Sequence, residues 1–387
     1  MRQVYLDNNA TTLLDPAVFE AMSPYYTQDY GNASSIHAPG QKARSAIEDA
    51  RAHVADLIGA KTSEIVFTSG ATESDNTALR GVAMALHLKG QHIITTAIEH
   101  LAVLDTCRQL EEEGFRVSYL PVDQQGLLSL DRLQEAIDED TILISVMHAN
   151  NEIGVVEPVR EIAALAKERG ILFHTDAVQT VGKIPVDVSD LGVDLLSLSA
   201  HKFHGPKGVG ALYIRGDVTI SPLLYGGAQE RGRRAGTLNV PGIVGLGKTC
   251  EMAKGALDDF GTRVRRIRDK LENGIVGNVS NVFVNGSKTD RVPHLSNISF
   301  LGVEGEALLI ALDLQGIAVS TGSACSSGTV ESSHVLSALR GNRDLHRSAI
   351  RFSLSRMNND EDIEYVLSVL PETIKRMRQV SPTYRNG

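Results

Sequence analysis

Two stretches decide the fold: Leu198-Ser199-Ala200-His201-Lys202, and upstream of it His174-Thr175-Asp176-Ala177-Val178-Gln179. Each follows an apolar run that reads as a buried strand, Ile171-Leu172-Phe173 before Asp176 and Leu195 to Leu198 before Lys202. The ends of neighbouring parallel strands are where an open α/β sheet binds its ligand. A lysine amine condenses with a carbonyl to a Schiff base, an aspartate pairs with a protonated pyridine nitrogen, and a glutamine donates to a phenolic oxygen. Those are the polar needs of pyridoxal phosphate (PLP). Singly, these residues have plainer readings: a solvated lysine, a helix-capping Asp176, a hydrogen-bonded core His201. Their conjunction, in order and at strand ends, points to a PLP site.

Outward from this pair, apolar β-branched runs recur at Ile65 to Thr68, Ile93 to Thr95, Val117 to Leu120, Ile142 to Val146 and Val209 to Tyr213. Amphipathic patterns such as Leu101 to Glu113, Leu130 to Ile137 and Val159 to Arg169 lie between them. This alternation predicts an α/β fold, a mostly parallel seven-stranded sheet covered on both faces. After Gly255 the pattern changes to a charged helix over Phe260 to Gly274. Shorter strands follow at Val282 to Val284 and Ile298 to Phe300, then helices at Gly305 to Leu314 and Asp360 to Arg378. The expected division is a large cofactor-binding domain over 15–257 and a smaller α+β domain over 1–14 and 258–387.

At 387 residues the chain exceeds one ordinary core. A net charge of -9 argues against nucleic-acid binding through a broad basic face. No apolar run is long enough to span a bilayer, and the opening Met1-Arg2-Gln3-Val4-Tyr5 carries no signal-like apolar stretch. Three cysteines, Cys107, Cys250 and Cys325, are too few and scattered for a disulfide framework or a zinc module. A reducing cytoplasm is the expected compartment. His174, His201 and His204 lack the cysteine or carboxylate companions of a metal site, and no metal is expected.

Thr68-Ser69-Gly70-Ala71-Thr72-Glu73 follows a strand and opens a helix, whose N-terminal amides suit an anion. It also reads as an ordinary capping box. Beside Lys202 it fits a phosphate seat, to which Ser199 and His201 could add donors. His100, just past another strand, could stack on a cofactor ring or simply cap a helix. Of Asn150 and Asn151, one is expected to be structural, with Asn151 favoured as the ligand contact. The loop Arg231 to Thr237 is either a solvated charge run or anion-facing. Arg351, in the strand-like Ala349 to Ser353, suits a bidentate grip on a carboxylate or an ordinary salt bridge.

Ser320-Thr321-Gly322-Ser323-Ala324-Cys325-Ser326-Ser327-Gly328-Thr329 has almost no large apolar residue, so its thiol is expected to be exposed and mobile. Cys107 and Cys250 lie in helical patterns and read as small core hydrophobes.

Ordered along the chain, Tyr5 to Thr12, Gly31 to His37, Gly70 to Ser74, Asn150 to Gly154, Ser199 to Lys202 and Gly322 to Cys325 resemble the cysteine desulfurases of the NifS/IscS family. The resemblance implies a fold-type I PLP homodimer. Lys202 would carry the cofactor, Asp176 would pair with its pyridine nitrogen, Gln179 with its ring oxygen, and His100 would stack on the ring. Ala71, Thr72, Ser199 and His201 would hold the phosphate, and Thr237 would reach the phosphate of the partner subunit. Asn151 and Arg351 would hold the substrate carboxylate, with Asn32 and His37 nearby. L-Cysteine would give L-alanine and a persulfide on Cys325, for an iron–sulfur scaffold or another acceptor. The length after Cys325, through Glu331 to His334, resembles the long-loop branch, and the short segment past the last helix inclines toward a NifS-type role. Selenocysteine lyase or aminotransferase chemistry on the same scaffold is the alternative.

Overall fold

The computed structural model describes residues 2–321, 333–339, 343–381 and 384. In chain order its strands are β1 (Val4–Tyr5), β2 (Ile65–Thr68), β3 (His92–Thr96), β4 (Arg116–Leu120), β5 (Thr141–Ser145), β6 (Leu172–Asp176), β7 (Leu195–Ser199), β8 (Gly210–Ile214), β9 (Val282–Val284), β10 (Leu295–Phe300), β11 (Ile317–Ala318) and β12 (Ala349–Ser353). Seven of them form one sheet, in the order β2-β8-β7-β6-β5-β3-β4. Pairing is parallel from β7 through β4, and β8 is antiparallel to both of its neighbours. Two reversals restore direction, so β2 runs the same way as β7. The C-terminal ends of β2, β3, β5, β6 and β7 therefore share one edge.

Strand alternation feeds two cores, because successive side chains leave opposite faces of a sheet. Ile93, Leu143, Leu195 and Leu212 pack with Leu79 and Val82 of the helix Ala71–Leu86 and with Val103 and Leu110 of the helix Leu101–Glu112. Their neighbours Ile94, Ile144, Leu196 and Ala211 face the other way, against Ile47 and Val54 of the helix Ala38–Ile58, Ile162 of Val159–Glu168 and Leu246 of Val240–Asp259. All seven runs anticipated as strands are strands, and the seven-stranded sheet is as expected. Cys107 and Cys250 are buried within these two cores.

A third cluster gathers Val4 and Leu6 with Phe260, Leu271, Ile298, Phe300, Leu308, Phe352 and Ile374. It lies around the antiparallel sheet β12-β10-β9 and the parallel pair β1-β11. One expectation is corrected. No helix starts at Phe260: the helix Val240–Asp259 runs on through a π-turn at Phe260–Val264 into Arg265–Asn278. A Cβ at Gly255 would meet nothing within 4 Å, so this glycine weakens the helix without ending it. The expected boundary at 257/258 thus falls inside a continuous helical run.

Candidate active site

The shared edge of strand ends opens onto a cavity of about 570 Å³. Of the residues singled out in the sequence, Ala71, Thr72, His100, Asn151, Asp176, Gln179, Ser199, His201, Lys202 and Arg351 all line it. Asn32, His37 and Thr237 do not, and all three are exposed. The Asn32 side chain accepts from Ser34 N, and His37 caps the helix Ala38–Ile58. Cys325 lies outside the described residues.

Lys202 sits at the end of the single turn Ala200–Lys202 that follows β7. Its Nζ donates to Asn9 O at 2.8 Å and to Ala10 O at 2.9 Å. Gln179 Nε2 donates to the same Asn9 O at 3.3 Å. Asp176 ends β6, buried, with Oδ1 accepting from Val178 N at 2.9 Å. Burial raises its carboxyl above the ordinary range, opposed by the nearby charges of His100 and Lys202. A buried acid of this kind needs a cationic partner to stay ionised, which a protonated pyridine nitrogen supplies.

His100 is the N-cap of the helix Leu101–Glu112, its Nδ1 accepting from Ala102 N at 3.1 Å. The capping and cavity-lining readings are therefore both correct. Burial lowers its affinity for protons, partly offset by Asp176 and reinforced by Lys202 and His334. Because Nδ1 accepts from Ala102 N, the neutral ring carries its proton on Nε2.

Gly70, at φ 154°, precedes the helix Ala71–Leu86, whose first amides border the cavity. A Cβ on Gly210 would lie 2.6 Å from Leu198 O and 2.8 Å from Gly70 Cα, so only glycine lets β8 close up beneath this turn. Buried Ser199 and the His201 ring border the same cavity, and His201 Nδ1 lies 3.1 Å from Thr11 Oγ1. Most of the basic loop is exposed, as the solvated reading has it, and none of its arginines lines the cavity. Arg234 pairs with Glu73 at 2.8 Å, and Arg231 and Arg233 bond to Ser63 O.

Arg351, buried in β12, donates to Asp7 Oδ1 at 2.7 Å and to Asn151 O at 3.1 Å, while its Nε has no hydrogen-bond partner. Asn150 is the structural member of the asparagine pair. Its Nδ2 donates to Ile98 O at 2.9 Å, and its Oδ1 accepts from Glu152 N at 2.8 Å and Ile153 N at 3.0 Å.

Three cavity-lining features were given no role from the sequence. Asn9, Ala10 and Thr11 arrive through long-range pairing: Asp7 bridges to Ser353, and Asn9 Nδ2 donates to Asn151 O at 3.1 Å. Asp75 lies buried on the apolar face of the helix Ala71–Leu86, its Oδ1 3.6 Å from His174 Nε2. A carboxylate three and seven residues before Ala78 and Val82 was the available signal. Burial, then the neighbouring charge of Asp176, raises its carboxyl well above the ordinary range. Lys207, at the edge of the Lys202 loop, also lines the cavity.

Comparison with known proteins agrees with this geometry. The family model for class-V aminotransferases matches residues 4–366. The chain belongs to the NifS/IscS cysteine desulfurase family within that class. A cysteine desulfurase IscS of Dictyoglomus turgidum is 54% identical over 381 residues, 98% of this chain and 97% of the relative. One from Clostridium botulinum is 49% identical over 387 residues, 100% of this chain and 98% of its own length. Among solved structures, a NifS-like protein superposes with a TM-score of 0.91 at 42% identity, covering 97% of this chain and 100% of that one. SspA in complex with cysteine superposes at 0.82 with 38% identity, covering 91% and 99%. The chain is thus a fold-type I PLP enzyme. The residues present fit that cofactor: an amine and a buried acid lie at or just past the ends of adjacent strands, and the N-terminus of the helix Ala71–Leu86, preceded by Gly70, borders the same cavity. No helix among the described residues is long and apolar enough to cross a membrane.

Proposed function

We propose that the chain is a cysteine desulfurase, taking sulfur from L-cysteine and leaving L-alanine and a persulfide on Cys325. The carrying observation is that Lys202 Nζ and Gln179 Nε2 meet on one carbonyl oxygen, Asn9 O, in a cavity that also holds Asp176 and Arg351. When bound, PLP supplies an electron sink for the pair left at the substrate Cα. The chain does the rest. Lys202 would anchor the cofactor, and its amine is the group placed to hold the substrate's Cα proton. Asp176 would pair with the pyridine nitrogen and favour its protonated form. Arg351, with Asn151 beside it, orients the substrate carboxylate. The Cys325 thiolate attacks the substrate sulfur: the C–S bond breaks, an S–S bond forms, sulfur is oxidised and the β-carbon reduced. The atoms of cysteine plus thiol equal those of alanine plus persulfide. Relatives named cysteine desulfurase, and SspA in complex with cysteine, support this substrate.

Delivery of the sulfur to iron–sulfur cluster assembly belongs to the same reading. So does a homodimer. Leu13, Phe19, Tyr26, Tyr30, Ile36 and Tyr225 are large and exposed, and Thr237, Asn32 and His37 are exposed and do not line their own cavity. A division into a large domain over 15–257 and a small one over 1–14 and 258–387 belongs to the same reading; the three largest apolar clusters support it, and two smaller ones bridge the two parts.

The test is stoichiometric. The cofactor-loaded protein with L-cysteine and a reducing thiol should release alanine and sulfide in equal amounts. Cys325→Ala should still load cofactor but release no sulfide. Pyruvate formation, amino-group exchange, or normal sulfide release by Cys325→Ala would reject the reading.

A further inference from the structure

Lys183 is buried at 2% exposure and lies outside the cavity lining, behind Gln179. A buried amine is costly, and a methionine would fill similar volume without losing hydration. Its position is built by the chain that follows β6. Thr180 N and Val181 N both bond to Ala177 O, and Lys183 N and Ile184 N both bond to Thr180 O. These turns put Gln179 and Lys183 four residues apart on one face. Lys183 Nζ donates to Gln179 Oε1 at 2.9 Å. The other end of the same amide meets Asn9 O at 3.3 Å. A main-chain carbonyl only accepts, so the atom facing it is the amide nitrogen and the atom facing Lys183 is the oxygen. Asn9 is in turn fixed: its Oδ1 lies 3.0 Å from buried His294 Nε2, and its Nδ2 donates to Asn151 O at 3.1 Å.

A primary amide beside a phenolic oxygen can present either of two ends. Its oxygen would repel the ring's negative charge, and its NH2 group would hold it. We propose that Lys183 is a positioning residue that occupies the Gln179 amide oxygen, so that only the NH2 group is offered to the cofactor's ring oxygen. This rests on the reading of Gln179 as the partner of that oxygen. Burial, and then the charges of Lys202 and Arg351, push the amine well below its ordinary range; His201, His204 and His294 also feel its charge. A neutral amine still donates an N–H, so the role survives without a third positive charge behind the ring.

The test uses the cofactor-loaded protein and its visible absorption band, titrated with pH. Removing the NH2 donor destabilises the ring oxygen's negative charge, so the imine proton it shares is held to higher pH. Gln179→Ala should raise the spectral midpoint by about one unit. Lys183→Met should raise it in the same direction, with thermal stability equal to or above that of the parent. The double variant should show no more than the Gln179→Ala shift, because one residue acts through the other. A midpoint unchanged in Lys183→Met while Gln179→Ala shifts would overturn the proposal, as would fully additive shifts. No shift in Gln179→Ala would instead remove the reading of Gln179 itself. If Lys183→Met fails to fold, Lys183→Gln decides: it retains an N–H donor and should keep the parent midpoint, and a raised midpoint would overturn the role.

Discussion

Arg351→Lys separates the grip on the substrate carboxylate from mere positive charge. In the free protein the guanidinium is committed on one side, to Asp7 Oδ1 at 2.7 Å and to Asn151 O at 3.1 Å. Its Nε is buried and has no hydrogen-bond partner. An arginine fork can meet both oxygens of a carboxylate while still touching Asp7; a lysine ammonium in the same place is a point donor. Losing one charge-assisted hydrogen bond costs about 1.5–3 kcal/mol, which corresponds to roughly 10- to 100-fold in affinity. The carboxylate is held alike before and during reaction, so the loss should appear in KM with kcat nearly unchanged. Steady-state rates of alanine formation over a range of L-cysteine concentrations measure both constants. The visible band of the bound cofactor should not move, because Arg351 does not hold it. A KM within about twofold of the parent, or a fall in kcat at constant KM, would refute the assignment of Arg351 to the carboxylate.

Other expectations test the remaining parts. Borohydride should fix the cofactor to the parent chain at Lys202; Lys202→Ala should neither be labelled nor turn over, and sustained turnover would remove both roles of the lysine. Gly210→Ala places a methyl 2.6 Å from Leu198 O and 2.8 Å from Gly70 Cα. It should weaken PLP binding at least about tenfold by distorting the phosphate turn, and equilibrium dialysis giving the parent's affinity would contradict that packing. His148, His174 and His204 are buried, and burial lowers them to about 4, about 3 and about 4. The unfolded chain therefore binds protons that the folded one refuses, and stability should fall as pH drops from about 6.5 toward 4. Urea midpoints over that window should decline, less steeply in His148→Gln; equal slopes would mean that this ring is charged in the fold.

What the sequence made legible was local chemistry at strand ends. Asp176, Ser199 and Lys202 could be found because each stands within a few residues of the end of an apolar run, and strand ends in a parallel sheet converge whatever the intervening helices do. His100 and Asn151 followed from the same rule. Missing from that view was everything delivered by pairing across the chain. Asn9 lies far from Lys202 in sequence, and nothing in Asn8-Asn9-Ala10 announces that its carbonyl will receive the Lys202 amine. It arrives because β1 pairs with β11 and Asp7 bridges to Ser353. Lys183 was hidden for the opposite reason: a lysine in a glycine-punctuated turn has every appearance of a surface residue until packing buries it.

The N-terminal segment is therefore more than an edge strand. Leu6 packs in the cluster around β10 and β12, yet two residues past Asp7 the chain supplies the carbonyl shared by Lys202 and Gln179. Asp7 holds Arg351, and Asn9 Nδ2 holds the same Asn151 carbonyl that Arg351 touches. The groups assigned to the cofactor end or follow strands of one sheet, and the arginine assigned to the substrate comes from another. The run Asp7 to Thr11 is the strip of backbone on which both are registered. A change that moves it should disturb cofactor and carboxylate sites together, whereas changes at Asp176 or Arg351 alone should disturb only one.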